Sequence, residues 1–318
     1  MIEYKVSVII PMYNVEKYID DCLMSLERQT LKDIEVIIID DGSTDKSGDI
    51  AKKYVDNHSN YTLIKQTNKG QGTARNRGID IATGKYLYFL DSDDYIADST
   101  LQELYFLMEK HCLDVILFNS SDFYEVHDIQ NQPVVYDEEW YGEIMSGDEL
   151  LRRESGKGKY EPSNCFLMSR RDVLVDNNIK YEEGILHEDT LLFFMLMKAA
   201  TQIMVVKDRY YYRRIRPNST MTGDRYGKRF VSSVFVAEQL SLIDSTDEPL
   251  SFFIKAILGT AVNVYTKGRL YDNKSNDVKN AYKSFRTIAH RYRWWRSLYF
   301  ILFCLCDRVS IVYRNVDV

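Results

Sequence analysis

The chain has 318 residues, of which 45% are apolar and 28% charged, and this composition excludes an intrinsically disordered protein. The length allows one large domain or two smaller ones. A formal net charge of −6 gives no general basic surface, so nucleic acid is not expected as a partner. Five scattered cysteines without a CxxC pair favour reduced thiols in the cytoplasm. The first residues lead directly into a strand pattern, which predicts no signal peptide.

Strand and helix patterns alternate through the first 120 residues. The predicted strands are near-continuous runs of apolar residues, as expected where helices cover both faces of a parallel sheet. They are Val6–Ile10, Glu35–Ile39, Thr62–Gln66, Lys85–Leu90 and Asp114–Asn119. The helices predicted between them are 15–29, 44–57, 71–82 and 98–111. Right-handed crossovers between these strands predict an α/β fold with a doubly wound, mainly parallel sheet flanked by helices.

The pattern loosens from residue 121 to 186 into short strand-like stretches. A helix is predicted over 188–200, where large apolar residues recur at helical spacing. A strand-like segment, Ile203–Val206, and a Tyr/Arg-rich stretch, Tyr210–Arg216, follow. Residues 225–290 are predicted to be mostly helical, so the C-terminal region differs in class from the N-terminal one.

An acidic cluster, Asp91-Ser92-Asp93-Asp94, follows the fourth predicted strand. In open α/β sheets ligands bind at the carboxyl ends of the strands. Three carboxylates within four residues repel one another unless a cation lies between them. Mg²⁺ and Mn²⁺ prefer such oxygen ligands and commonly bridge to substrate phosphates. The cluster therefore predicts a divalent metal site, and the alternative is a solvated acidic turn.

Three further loops follow predicted strands. Pro11–Asn14 follows the first strand, Asp40–Asp45 the second, and the glycine-rich segment Asn68–Arg75 the third, where it starts a helix. Parallel topology places all three loops at one edge of the sheet, beside the acidic cluster. That edge offers an aromatic ring, several carboxylates, a glycine-rich helix start and two cations.

A nucleotide diphosphate would match these groups. Its base would lie near Tyr13 and Asp41, its ribose near Asp91, and its phosphates near the metal and Arg75. Dehydrogenase and P-loop interpretations are rejected. The Gly-x-Gly pair lacks its third glycine and follows the wrong strand, and no GxxxxGK[ST] motif is present.

Four motifs together resemble those of glycosyltransferase family 2. They are Val6-Ser-Val-Ile-Ile-Pro-Met-Tyr-Asn14, Asp40-Asp-Gly-Ser-Thr-Asp45, Ala74-Arg-Asn-Arg-Gly78 and Phe89-Leu-Asp-Ser-Asp-Asp94. The match is close over about residues 1–100, and a looser pattern reaches about 222. The resemblance implies the GT-A fold and inverting transfer from a nucleotide-activated sugar, usually UDP-linked. It also implies Mn²⁺ or Mg²⁺ bound by an Asp-x-Asp motif.

Carried over by position, the Asp-x-Asp motif is Asp91-Ser92-Asp93, with Asp93 the more direct metal ligand and Asp91 the second. Asp41 matches the aspartate that contacts the base in the family, and Pro11 and Tyr13 match the residues that line it. The predicted donor-binding residues are Pro11, Tyr13, Asn14, Asp41, Lys69, Arg75, Asp91, Ser92 and Arg216.

A second acidic site is predicted at Ile185-Leu-His-Glu-Asp-Thr190. In an inverting transfer the acceptor hydroxyl loses a proton as it attacks, and a carboxylate is the usual base. The segment resembles the family's Glu-Asp signature, which makes Asp189 the predicted base and Glu188 and His187 the predicted acceptor contacts. The alternative is that Glu188 and Asp189 only stabilise a helix N-terminus through its dipole.

Arg213, Arg214 and Arg216 resemble a family segment that closes over the diphosphate. Relatives often carry His-x-x-Ser where this chain has Arg216-Pro-Asn-Ser219. A guanidinium can pair with a phosphate through two hydrogen bonds and stabilise the leaving group. It is a poor metal ligand, so the resemblance does not carry over a histidine in the metal shell. The alternative is a basic surface stretch.

The C-terminal segment 291–308 follows a different pattern. Arg291-Tyr-Arg-Trp-Trp-Arg296 precedes nine apolar residues at 298–306, a run too short to span a bilayer. Tryptophans beside arginines suit the membrane interface, so the segment predicts a peripheral membrane contact. The alternatives are a helix docked on the protein's own core or on a second subunit of a homo-oligomer.

Together these features predict a GT-A nucleotide-sugar transferase domain over 1–222 and a helical region over 223–318. The resemblance implies a hexosyl- or N-acetylhexosaminyltransferase of bacterial surface-polysaccharide synthesis, with a glycan or lipid-linked glycan acceptor. It would lie in the cytoplasm, on the inner face of the cell membrane. Transfer to a protein or soluble acceptor, and sugar-nucleotide binding without catalysis, stay open as alternatives. Nucleotidyl transfer is disfavoured because Pro11–Asn14 is not a basic glycine-rich loop.

Overall fold

The computed structural model describes residues 4–124, 133–158, 163–216, 225–243, 248–270, 273 and 275–292. The chain divides into two compact units. The first unit comprises Met1–Leu150, Glu161–Gly184 and Leu192–Gly223, and the second comprises Leu151–Tyr160, Ile185–Leu191 and Asp224–Val318. The domain boundary predicted at 222/223 stays a prediction.

The first unit contains a nine-stranded sheet within the described residues. Its strands are β1 (Val6–Met12), β2 (Ile34–Asp40), β3 (Tyr61–Lys65), β4 (Tyr86–Phe89), β5 (Tyr95–Ile96), β6 (Val115–Tyr124), β7 (Ile144–Met145), β8 (Leu167–Arg170) and β9 (Ile203–Ile215). The strand order is β3-β2-β1-β4-β8-β6-β9-β5, and β7 pairs with β9. Strands β3, β2, β1 and β4 run parallel, as do β6 and β9, whereas β8 runs antiparallel to both of its neighbours. The predicted mainly parallel α/β sheet is confirmed.

Ten helices accompany the strands in the described part of the chain. They are α1 (Ile19–Glu27), α2 (Ser47–Asn57), α3 (Gln71–Ile81), α4 (Thr100–His111), α5 (Gly147–Lys157), α6 (Arg171–Asp176), α7 (Glu188–Ala199), α8 (Tyr226–Leu242), α9 (Glu248–Lys267) and α10 (Asn276–Arg291). Short 3₁₀ turns occur at Glu138–Trp140 and Asn164–Phe166.

The two central strands of the parallel set, β1 and β4, are buried along their whole length. This burial explains why these strands show no alternation of polar and apolar residues. Helix α3 lies close against β1 because Gly78 has no side chain. A Cβ added at this position would collide with Ile9 Cγ2. The close approach holds α3, and Arg75 on it, against the central strands.

We expect Gly78→Ala to lower the free energy of unfolding by about 1–3 kcal/mol, the usual cost of overpacking a core. Gly259→Ala is the matched control, since it lies inside α9 with no atom within 4 Å of an added Cβ. The control should be neutral or stabilise by up to about 1 kcal/mol, because alanine favours a helix over glycine. Urea unfolding of both variants measures the difference, and equal stabilities would contradict this account of the α3–β1 contact.

Two predicted segments, Ile203–Val206 and Tyr210–Arg216, belong to one strand, β9. Its pairing with β6 changes register around Asn119, opposite residues 206–211. The exposed polar residues Lys207 to Arg209 therefore mark an irregularity within a strand rather than a strand end. Strand β8 and helices α5 and α6 lie in the region where the sequence pattern loosened.

The second unit contains α8, α9 and α10, which confirms the predicted helical C-terminal region. Phe230, Tyr265 and Phe285 form its aromatic core, with ring centroids of Phe230 5.0 Å from Tyr265 and 6.4 Å from Phe285. None of the helices among the described residues is long and apolar enough to cross a bilayer. Of the predicted membrane segment 291–308, all but its first two residues lie outside the described residues.

Candidate active site

The loops after β1 and β2 lie side by side, as the parallel topology predicts. Asp41 N donates to Met12 O at 2.8 Å, which continues the strand pairing into the loops. Asn14 N donates to Ser43 Oγ at 3.1 Å, and Asn14 Oδ1 accepts from Thr44 N at 2.8 Å. Asn14 has a φ of 50°, a left-handed conformation that asparagine tolerates better than most residues. These contacts fix the two loops as one surface.

The predicted base-contacting residues occupy this surface. Pro11 is buried in β1, and the ring of Tyr13 is 47% exposed at the end of the strand. Asp41 is buried, and its carboxylate accepts hydrogen bonds from Gln66 Nε2, Lys69 N and Gly70 N at 2.8–2.9 Å. In this structure Asp41 therefore holds the loop after β3, and its contact with a base stays a prediction.

Arg75 on α3 reaches the acidic cluster. Its side chain is buried, and Nη2 donates to Asp91 Oδ1 at 2.7 Å. The guanidinium also lies over the Tyr181 ring, 5.2 Å from its centroid. Asn76 exchanges two hydrogen bonds with the backbone of Tyr181, at 2.9 and 2.8 Å. Arg75 is thus held beside Asp91, and its contact with the phosphates stays a prediction.

Arg216 reaches the other predicted metal ligand. Its Nε donates to Asp93 Oδ2 at 2.7 Å, and its guanidinium lies 4.9 Å from the centre of the Tyr18 ring. Burial raises the pKa of the Asp93 carboxyl above its usual value, while Arg216 acts in the opposite direction. Ser92, between the two ligands, is buried. The structure therefore brings Asp91, Asp93, Arg75 and Arg216 together at one end of the sheet.

Asp94 ties the acidic turn to β9. It is buried, and it accepts hydrogen bonds from the Tyr211 hydroxyl and from Arg214 N, each at 2.6 Å. The Tyr211 hydroxyl also accepts from Asp91 N at 3.3 Å, so one hydroxyl bridges both ends of the turn. Burial raises the pKa of Asp94 well above its usual range, and the neighbouring Asp93 and Asp91 raise it further.

Neither Asp94 nor Tyr211 was predicted to have a role in the site. The sequence did contain an indication for Asp94. Three carboxylates at one turn repel one another, so each needs a hydrogen-bond donor or a cation as a partner. Tyr211 carried no signal, because it stands among three consecutive tyrosines that the pattern does not distinguish.

The three arginines at the end of β9 have different partners. Arg213 forms a two-pronged ion pair with Asp122, at 3.0 and 2.7 Å, and the Asp122 side chain is 1% exposed. Arg214 donates to Asp93 O at 3.0 Å and to Asp21 Oδ2 at 2.7 Å. Within the described residues Arg214 and Arg216 therefore contact the acidic cluster, whereas Arg213 ties β9 to β6.

The predicted base and acceptor contacts lie in the second unit, at the start of α7. Asp189 is half-buried, and its Oδ1 accepts from Thr190 N at 2.9 Å. Glu188 is buried, and His187 is exposed with a φ of 63°. Both acids occupy the first turn of a helix, where the dipole favours them. The catalytic and the capping interpretations both fit this geometry, so the roles of these residues stay predictions.

The described residues offer the carboxylates of Asp91 and Asp93 to a metal at the first acidic site. No group of three or more His, Cys, Asp or Glu side chains converges in the described ranges. Asp91 and Asp93 supply hard oxygen ligands, and Mg²⁺ is usually held by one or two carboxylates together with substrate phosphates and water. The donor set therefore fits an ion that binds together with a diphosphate.

The sequence matches a known family and is similar to several known proteins. The sequence model of Glycosyl transferase family 2 matches residues 7–175. The Escherichia coli K12 protein described as uncharacterized glycosyltransferase YibD is 33% identical over 225 residues, which is 71% of this chain and 65% of YibD. The minor teichoic acid biosynthesis protein GgaB of Bacillus subtilis is 27% identical over 252 residues, 76% of this chain and 26% of GgaB. This chain therefore spans less than two thirds of both relatives.

One solved structure extends the similarity over nearly the whole chain. The crystal structure of Staphylococcus aureus TarS 1–349 in complex with UDP-GlcNAc superposes with a TM-score of 0.73 and 25% sequence identity. The match covers 98% of this chain and 92% of that one. The predicted GT-A architecture is confirmed by this similarity.

Proposed function

Because the chain belongs to glycosyl transferase family 2, we propose that it is an inverting, metal-dependent glycosyltransferase acting on a nucleotide-diphosphate sugar. Two ion pairs at the carboxyl ends of the strands support this proposal. Arg75 contacts Asp91 and Arg216 contacts Asp93, each at 2.7 Å. These four side chains supply the carboxylates that a divalent ion needs and the cations that a diphosphate needs.

The proposed donor is a UDP-sugar carrying a hexosyl or N-acetylhexosaminyl group. The similarity to TarS, which was crystallised with UDP-GlcNAc, supports this choice. The exposed ring of Tyr13 offers a stacking face for the base, and Asp41 fixes the adjoining loop through Lys69 N and Gly70 N. The remaining residues of the proposed donor site are Pro11, Asn14, Ser92 and the side chain of Lys69.

Asp91 and Asp93 would hold the metal, Mn²⁺ or Mg²⁺. When bound, such an ion would neutralise charge that develops on the departing diphosphate. Arg216 stands beside Asp93, so its guanidinium needs only a change of partner to make a two-pronged contact with a phosphate. Arg75 is buried against Tyr181 and would both orient Asp91 and offer positive charge to the phosphates.

Asp189 is the proposed general base. In a single displacement the acceptor hydroxyl attacks the anomeric carbon, the bond to the diphosphate breaks, and the hydroxyl proton passes to the carboxylate. Glu188 and His187, the preceding residues, are the proposed acceptor contacts.

A thermal-shift panel of nucleotide sugars with and without Mn²⁺ tests the donor. We expect UDP-sugars with Mn²⁺ to raise the melting temperature by about 5–10 °C at a concentration near 100 Kd, because such saturation adds about 2.7 kcal/mol of stability. GDP- and CDP-sugars are the matched controls and should give smaller shifts. A panel in which no nucleotide sugar shifts the melting temperature would contradict the proposed donor site.

A second measurement separates catalysis from binding. UDP release should accompany transfer when a suitable glycan or lipid-linked glycan acceptor is present. If UDP and metal bind tightly but no member of a broad acceptor panel is glycosylated, the chain is better described as a sugar-nucleotide-binding protein. Transfer to a protein or a soluble acceptor would be seen in the same panel.

The proposed role is in bacterial surface-polysaccharide synthesis, which the similarity to the teichoic acid protein GgaB supports. The proposed location is the cytoplasmic face of the cell membrane, with segment 291–308 as a peripheral contact. A homo-oligomer in which this segment forms a subunit interface is the competing proposal.

A further inference from the structure

Helix α10 carries a row of basic side chains along one face. Lys279, Lys283, Arg286 and His290 are spaced four, three and four residues apart, so they align within one narrow stripe of the helix. All four are exposed. The stripe extends over 12 residues, and its two ends are about 16 Å apart along the helix. We refer to these four residues as the basic stripe.

The opposite face of α10 is fixed within its own unit. Its buried residues are Val278, Ala281, Phe285, Ile288 and Ala289. At the end of the helix Arg291 Nη1 donates to Ser241 O of α8 at 3.3 Å. The helix is therefore held with the basic stripe turned away from its apolar core.

The charges of the basic stripe are not compensated locally. Among the described residues, neither Lys279, Lys283 nor Arg286 forms an ion pair with a carboxylate. Asp277 is the only acidic residue of α10, and it lies near the buried edge of the helix rather than in the stripe. A row of cations without carboxylate partners suits an anionic partner outside the chain.

The C-terminal part of the chain is basic as a whole. Residues 224–318 contain 15 lysines and arginines against nine aspartates and glutamates, whereas residues 1–223 contain 26 against 38. The net charge of −6 is therefore the sum of a negative net charge in residues 1–223 and a positive net charge in residues 224–318. Such asymmetry is typical of a region that contacts an anionic polymer or membrane.

We propose that the basic stripe of α10 rests on the anionic headgroups of a lipid bilayer. A straight row of cations along the exposed face of a helix matches an extended, flat anionic surface better than a single small ligand. The chain continues from α10 directly into Arg291-Tyr-Arg-Trp-Trp-Arg296, a composition suited to the headgroup region. The inference is independent of the sugar-transfer chemistry, and it adds a described surface to the membrane contact proposed for 291–308.

Charge reversal in the full-length chain tests the proposal. The variant K279E/K283E/R286E removes the stripe, and K53E/K110E/K207E makes the same change in net charge at exposed lysines of the first unit. Binding is measured by flotation with vesicles of phosphatidylglycerol and phosphatidylcholine, and with phosphatidylcholine alone. We expect the unmodified chain to bind the anionic vesicles and to lose binding as salt rises. The stripe variant should bind at least about 100-fold more weakly, and the control within about threefold of the unmodified chain.

Folding and donor binding are measured for the same variants. Both variants should keep the circular dichroism spectrum, melting temperature and UDP-dependent thermal shift of the unmodified chain, so that lost binding is not lost folding or a failed donor site. Equal vesicle binding by stripe variant and unmodified chain would overturn the proposal. Stripe-dependent binding to soluble polyphosphate without binding to vesicles would also overturn it, in favour of an anionic polymer. A chain truncated after Tyr292 keeps α10 whole, and salt-sensitive vesicle binding by it would support the stripe directly.

Discussion

Replacing Asp189 with asparagine should slow sugar transfer by at least about 100-fold while leaving donor binding unchanged. An asparagine has nearly the same shape but cannot accept the proton of the acceptor hydroxyl at neutral pH. Its side-chain oxygen can still accept the hydrogen bond that Asp189 Oδ1 receives from Thr190 N. The start of α7 should therefore keep its conformation, and the defect should appear in the chemical step.

Asp172→Asn is the control for the capping interpretation, since Asp172 occupies the first turn of α6 as Asp189 occupies that of α7. Each substitution should lower the free energy of unfolding by about 0.3–1 kcal/mol through the lost helix-dipole interaction. Transfer and donor affinity are measured separately, by UDP release under saturating donor and by isothermal titration. If the Asp189→Asn variant turns over normally, Asp189 is not the general base, and its role is to stabilise the start of α7.

Asp93→Asn should abolish the contribution of Mn²⁺ to UDP binding. The substitution removes one of the two carboxylates proposed to hold the ion, and an amide oxygen is a weaker ligand for a hard cation. Stability should change little, because the asparagine oxygen can still accept the hydrogen bond from Arg216 Nε. Isothermal titration of UDP with Mn²⁺ and with EDTA gives the metal contribution for each chain.

The control for this experiment is Asp98→Asn, which makes the same chemical change in an exposed ion pair with Arg28. It should bind UDP as the unmodified chain does, with the same loss on addition of EDTA. If Asp93→Asn keeps the full metal-dependent gain in affinity, Asp93 is not a ligand, and the acidic cluster would serve to orient Arg216 instead.

Much of the first unit could be predicted because its strands are long and apolar. Strands β1 to β4 stand between clear helices, and each is followed by a polar loop, so both their order and the edge that carries the loops follow from parallel topology. Strand β8 could not be found in this way. It ends in two polar residues, Ser169 and Arg170, and it pairs antiparallel between β4 and β6, far from either in sequence.

The sequence pointed to four charged residues that meet in the structure, but not to their contacts or to the roles of Asp94 and Tyr211. Spacing and chemistry indicated Asp91, Asp93, Arg75 and Arg216, yet nothing in the sequence told which guanidinium meets which carboxylate. Arg213 and Arg216 have the same side chain, but Arg213 lies in β9 and points toward Asp122, whereas Arg216 follows the end of the strand and points toward Asp93. Which ion pair forms depends on the direction of each side chain along β9. The sequence does not reveal this direction, because it does not show where the hydrogen bonding of β9 to β6 becomes irregular.

The paired charges of the acidic turn also have a kinetic consequence. A carboxylate and a guanidinium 2.7 Å apart form a local dipole whose field decays much faster with distance than that of a single charge. These ion pairs would therefore exert little long-range attraction on an approaching nucleotide sugar. Its association rate constant would increase only slightly when the ionic strength is lowered. Capture would instead depend on collision and on the exchange of partners at the site, where the guanidinium of Arg216 leaves one anion for another.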